Sequence, residues 1–115
     1  MDILAIKKRL LELQNDVEAE EYHGTICVES LCNFYYFLQK HPTLKNPSIS
    51  LTPANNIYAT WKDTPDQLFS VHFMPNGDAR FVVSRSKNKM LTGQATVDNL
   101  LNICKNINWI YEGNP

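Results

Sequence analysis

Residues 48–85 alternate apolar and polar side chains through four short runs, SISLT, NIYATW, LFSVHFM and ARFVVSR, and this alternation constrains the chain more than anything else in it. A period of two marks strands with one face buried and one face solvated. Counting by twos puts Ile49, Leu51, Ile57, Ala59, Trp61, Phe69, Val71, Phe73, Phe81 and Val83 on one side, the expected core face. The other side carries Ser50, Tyr58, Thr60, Ser70, His72, Arg80 and Ser84, with Leu68, Met74 and Val82 among them.

A one-residue slip in pairing would swap the two faces, so the turns must agree with the pattern. In Met74-Pro75-Asn76-Gly77-Asp78, a two-residue Asn-Gly loop would set Phe73 against Arg80 and put a charge on the core face. A three-residue loop, Pro75-Asn76-Gly77, removes the conflict. Proline suits the first central position of a type I turn, and glycine suits the left-handed position that follows it. That loop sets His72 against Arg80 and Val71 against Phe81. Thr52-Pro53-Ala54-Asn55-Asn56 fits the same plan, with Asn55 in the left-handed place and Leu51 opposite Ile57. The connection over residues 62–67 is longer and polar, and is expected to be the more mobile loop.

The flanks read as helices. Over residues 2–22, Ile3, Ile6, Leu10, Leu13 and Val17 recur at spacings of three and four, with Leu4 and Leu11 beside them. Asp2 is placed to cap this helix and His23-Gly24 to stop it. Such a stripe docks on its own sheet or pairs with a second copy, and core packing is the expected use. A second helix is expected over residues 27–40, with Leu31, Phe34, Tyr35 and Leu38 on one face and His41-Pro42 closing it. Its run Phe34-Tyr35-Tyr36-Phe37 is aromatic on more than one side. The expectation is burial between the first helix and the sheet, the alternative being that Tyr36 or Phe37 is exposed for a partner.

Residues 86–89 read as a solvated turn and 90–95 as an edge strand. Thr96 is placed to cap a helix running to 105 with Val97, Leu100, Leu101 and Cys104 inward. Trp109-Ile110-Tyr111 is too apolar for a free tail and should pack back. The expected fold is a single α+β domain over residues 1–115, with two N-terminal helices, an antiparallel four- to five-stranded meander and a C-terminal helix packed on one sheet face.

Composition narrows the class. A chain of 115 residues with 43% hydrophobic and 20% charged residues suits one hydrophobic core. No apolar run approaches the roughly 20 residues a bilayer requires, and Met1-Asp2-Ile3-Leu4 lacks a secretory signal's basic start. A soluble, cytoplasmic protein without membrane contact is the expectation. The odd count of three cysteines, with no CxxC spacing, fits a reducing compartment. A net charge of -1 argues against nucleic acid, though Asp16, Glu18, Glu20 and Glu21 cluster, as do Arg80, Arg85, Lys87 and Lys89.

The candidate chemistry is sparse. His23, Cys27, Cys32 and His41 have the ligand types of a zinc site, but Cys27 and Cys32 stand five apart and point about 140° apart on one helix. No metal and no cofactor are expected. His72, Arg80 and Tyr58 share the polar face, where a histidine beside an arginine suits an anionic ligand or a proton transfer, and the arginine favours neutral imidazole. No third residue orients His72 and no catalytic motif is present in sequence. Tyr58 with Arg80, Arg85, Lys87 and Lys89 would suit phosphates and a stacked base, against the plainer reading of a solvated edge.

The phrases LTPANNIYATW, SVHFMPNGDARFVV and LTGQATVDNLL, over about the last two thirds of the chain, resemble a pattern found in small uncharacterised bacterial proteins. The resemblance implies a bacterial or mobile-element origin and carries no activity and no catalytic residues. The leading expectation is a non-enzymatic protein-binding module of an antitoxin, immunity or anti-defence kind that covers a partner's surface. The candidate binding residues are Tyr58, Thr60, Ser70, His72, Arg80, Arg85, Lys87 and Lys89. The alternatives are a nucleic-acid-binding accessory domain on that basic and aromatic face, and a small enzyme or ligand-binding domain centred on His72. A homodimer through the N-terminal helix is a further possibility.

Overall fold

A computed structural model of the chain describes residues 1–19, 24–86 and 89–113. Helix α1 spans Ile3–Ala19 and α2 spans Val28–Lys40. Five strands follow, β1 (Ser48–Leu51), β2 (Ile57–Thr64), β3 (Gln67–Phe73), β4 (Asp78–Ser86) and β5 (Lys89–Thr96). Helix α3 (Val97–Cys104) and a 3₁₀ turn (Asn108–Ile110) complete the order. The sheet is an antiparallel meander in the order β1-β2-β3-β4-β5, which makes the fold α+β.

Both three-residue hairpins form in the expected register. Asn55 has φ 64° and Leu51 pairs with Ile57. Gly77 has φ 89°, His72 pairs with Arg80 and Val71 with Phe81. The left-handed residue in each loop fixes which strand residues meet, and the meeting residues all share a face. Ile57, Ala59, Phe69, Val71 and Phe73 are wholly buried, and Ile49, Trp61, Phe81 and Val83 nearly so.

The middle connection departs from expectation. Strand β2 runs on to Thr64 and a tight Pro65-Asp66 turn leads into Gln67, with an irregularity in the ladder between Lys62 and Thr64. The expected mobile loop over residues 62–67 is therefore mostly strand. Lys62, Asp63 and Thr64 are all exposed, so this end of the hairpin projects beyond the core and loses the alternation that marks a strand.

The helices cover the core face. Asp2 Oδ1 accepts from Ala5 N, capping α1, and Ile6, Leu13 and Val17 are buried while Leu4 and Leu11 remain exposed. The expected end of this helix at Tyr22 and His23 lies outside the described residues. Helix α2 turns Phe34 and Leu38 inward as expected, but Phe37 takes the inward place expected for Tyr35. Phe34, Phe37 and Leu38 are buried with Ser30, whereas Tyr35 is exposed. Tyr36 is exposed too, so the expected burial of the whole aromatic run is corrected. Its hydroxyl donates to Asp98 Oδ1 at 2.6 Å and ties α2 to α3, and Lys40 lies over its ring.

Polar ties fix α2 to the hairpin ends. Ser30 Oγ accepts from Ile57 N at 2.7 Å and donates to Phe73 O, Asn33 Nδ2 donates to Met74 O, and Cys27 N donates to Asn55 O. Thr96 Oγ1 caps α3 by accepting from Asn99 N, and Val97, Leu100 and Cys104 are buried. Burial pushes the Cys104 thiol up to about 12, making it a packing group at neutral pH. The terminal segment packs back as expected. Ile110 O accepts from Lys45 N, Thr43 O from Glu112 N, and Trp109 and Ile110 are buried.

Candidate functional site

The register aligns one row of polar-face residues across all five strands: Ser50, Tyr58, His72, Arg80 and Gln94. The neighbouring row contains Ser48, Thr60, Ser70, Val82 and Thr92. Tyr58, Ser70, His72, Arg80, Val82 and Gln94 line a shallow groove of about 500 Å³ on the face away from the helices. Thr60 Oγ1 and Ser70 Oγ lie 3.1 Å apart and satisfy one another, and Ser70 is buried. Tyr58, His72 and Arg80 therefore come together as expected, with Thr60 and Ser70 beside them as a bonded pair.

His72 has a partner that sequence reasoning missed. Asn56 Nδ2 lies 3.1 Å from His72 Nε2, and Asn56 is itself buried. With the amide donating, Nε2 accepts and the neutral ring carries its proton on Nδ1. Burial holds the imidazole below its ordinary value of 6.5, and the Arg80 charge lowers it further. Burial is the larger cause, where the sequence had pointed to Arg80 alone. The signal for Asn56 was its position two before Tyr58, which places it on the polar face.

Arg80 is exposed, and its Nε approaches Gln94 Oε1 at 3.4 Å. Gln94 Nε2 in turn donates to Asp78 Oδ2 at 3.2 Å. A guanidinium, a neutral imidazole and a phenol in one row can accept an anionic or hydrogen-bonding ligand.

The basic cluster read from the sequence is divided. Arg80 stands on the polar face, whereas Arg85, an odd number of residues along β4, belongs to the helix-covered side. Arg85 Nη2 donates to Asn106 O at 3.2 Å, and its guanidinium lies over the Trp109 ring at 5.9 Å. Lys89 joins Arg85 in a second groove, and Lys87 lies outside the described residues. Tyr58, Arg80, Arg85 and Lys89 consequently do not form one surface, which corrects the expected basic and aromatic face.

This second groove, about 380 Å³, is lined by Val83, Leu91, Ile103 and Ile107 together with Arg85 and Lys89. Its origin is geometric. Eight helical residues in α3 rise about 12 Å, whereas the eight residues of β5 extend about 26 Å. Helix α3 follows β5 directly and folds back over the sheet, so it ends before the start of β5 is covered. Leu91 pairs with Val83 on the core side yet is 61% exposed, and neighbouring Met90 is 67% exposed. β5 is also the last strand of the sheet, with an open side.

Among the described residues no group of three His, Cys, Asp or Glu side chains is placed to hold a metal ion. No described helix is long and apolar enough to cross a membrane. The fold thus defines an α+β protein with a five-stranded meander, one face under helices and one carrying a polar row. No family model, curated protein or solved structure matches the chain, so nothing in those comparisons bears on the resemblance to small bacterial proteins.

Proposed function

We propose that the chain is a non-enzymatic protein-binding module that engages its partner along β5. The observation that carries this reading is the open edge strand with Met90 and Leu91 exposed beside an apolar groove, in a sheet whose core-side apolar residues on β2, β3 and β4 are buried. The outer side of this eight-residue strand, unpaired among the described residues, offers backbone donors and acceptors at alternate positions, and the groove offers a place for an apolar side chain. Antitoxin, immunity and anti-defence roles share one physical description, occlusion of a partner's surface.

The polar row supports a second reading, a ligand site centred on His72, because the face around it is concave and His72 is oriented by Asn56. The nucleic-acid reading is weakened by the division of Arg80 from Arg85 and Lys89. A homodimer through α1 would have to use Leu4 and Leu11, since Ile6, Leu13 and Val17 face the core.

A photoreactive amino acid placed in the cell at position 90, and separately at position 60 on the polar face, tests the choice. One discrete protein adduct from position 90, lost when Leu91 is also changed to Lys, is the expected result. Adducts from position 60 alone would give the role to the polar face.

A further inference from the structure

We propose that the β5 edge takes an extended, acidic segment of a partner protein, added as a sixth strand with apolar side chains in the groove and a carboxylate between Arg85 and Lys89. The inference rests on the protein-binding reading and deepens it by naming the chemistry of the occupant. Charge complementarity carries it. Neither Arg85 nor Lys89 makes an ion pair among the described residues, although both flank an apolar cleft. Arg85 is held in place by Asn106 O and the Trp109 ring, with one guanidinium N–H donated and the others without a partner among the described residues.

The strand geometry fits such a segment. Side chains two residues apart on an added strand point the same way, about 7 Å apart. An apolar residue over Leu91 thus places the next inward side chain within reach of the groove's basic end. A glutamate there would form a charge-assisted pair with the fixed guanidinium.

The test pans the full chain against a displayed library of random nonapeptides and remakes the enriched sequences synthetically. The expected peptides alternate apolar with other residues and carry an acidic residue on the apolar side. Their affinity should fall by about tenfold or more with Leu91→Lys and with Lys89→Glu. N-methylation of alternate peptide nitrogens should abolish binding, and of the intervening ones should not. Both altered residues are exposed, so an unchanged melting temperature separates lost binding from lost folding. The Lys89→Glu chain should instead enrich basic peptides.

Enriched peptides without acidic residues, or ones indifferent to these substitutions, would overturn the proposal. A concentration-dependent dimer dissolved by Leu91→Lys would overturn it in favour of a second copy as occupant. If no peptide is enriched while the position 90 adduct persists, the acidic strand is wrong and protein binding stands. If the adduct is also missing, both fall.

Discussion

At one edge of the sheet β1 is four residues long and fastened, and at the other β5 is eight residues long and open. Beside β1, Arg9 Nε donates to Ile49 O at 3.1 Å, occupying an outward carbonyl, and Asp2 N donates to Asn46 Oδ1 just before the strand. The hairpin ends next to it are pinned to α2 through Ser30, Asn33 and Cys27. Among the described residues nothing comparable covers β5, and two large apolar side chains face solvent. An edge that is short and capped is protected from pairing with other chains.

Loosening the fastened side should have the largest effect. Ser30→Ala leaves the buried Ile57 N–H and Phe73 carbonyl without their shared partner, which should lower stability by about 3 kcal/mol. Urea denaturation would show this, and the Ile57 amide should lose hydrogen-exchange protection before the amides of β4. A loss under about 1 kcal/mol would mean the hairpin ends are held mainly by packing.

On the β5 side Gly93 lies close against the Phe81 ring. A Cβ at position 93 would lie 2.7 Å from Phe81 Cζ. Gly93→Ala should therefore cost about 1–2 kcal/mol through overpacking, despite the stabilisation that replacing glycine confers elsewhere. Phe81→Leu in the same chain should recover part of the loss. Thermal unfolding of the two variants beside the parent chain makes the comparison, and an unchanged Gly93→Ala midpoint would show the open side to be loosely packed.

The smallest effect is with pH. Burial lowers His72, with Arg80 adding to it, and burial lowers His41, with Lys105 adding to it, both from 6.5. A depressed folded-state value means the unfolded chain binds the proton more readily. Stability from these two groups is complete above 6.5 and is lost as pH falls through their folded values. His72→Gln should flatten part of that decline in a series of urea melts. An unaltered slope would remove burial of His72 as a cause.

How much of this was legible in the sequence depended on range. Asn55 and Gly77 act within their own loops, so five residues of sequence fixed each register. Ser30 acts through partners 27 and 43 residues away, and nothing local distinguishes it from a surface serine. On α2 the periodicity identifies Phe34 and Leu38 as core, but aromatic residues on adjacent faces leave Phe37 and Tyr35 equally plausible beside them. Arg85 was legible, since its odd position relative to Arg80 puts it on the other face, but charge clustering along the chain hid this. The groove at β5 follows from the unequal lengths of a helix and a strand, which is a property of packing and not of any residue type.

The order of the sheet bears on how the chain assembles. Each strand pairs with its neighbour in sequence, so the ladder closes only short loops as it grows, and such contacts form early. The Ser30 bonds close much longer loops and reward docking of α2 only once β2 and β3 are already aligned.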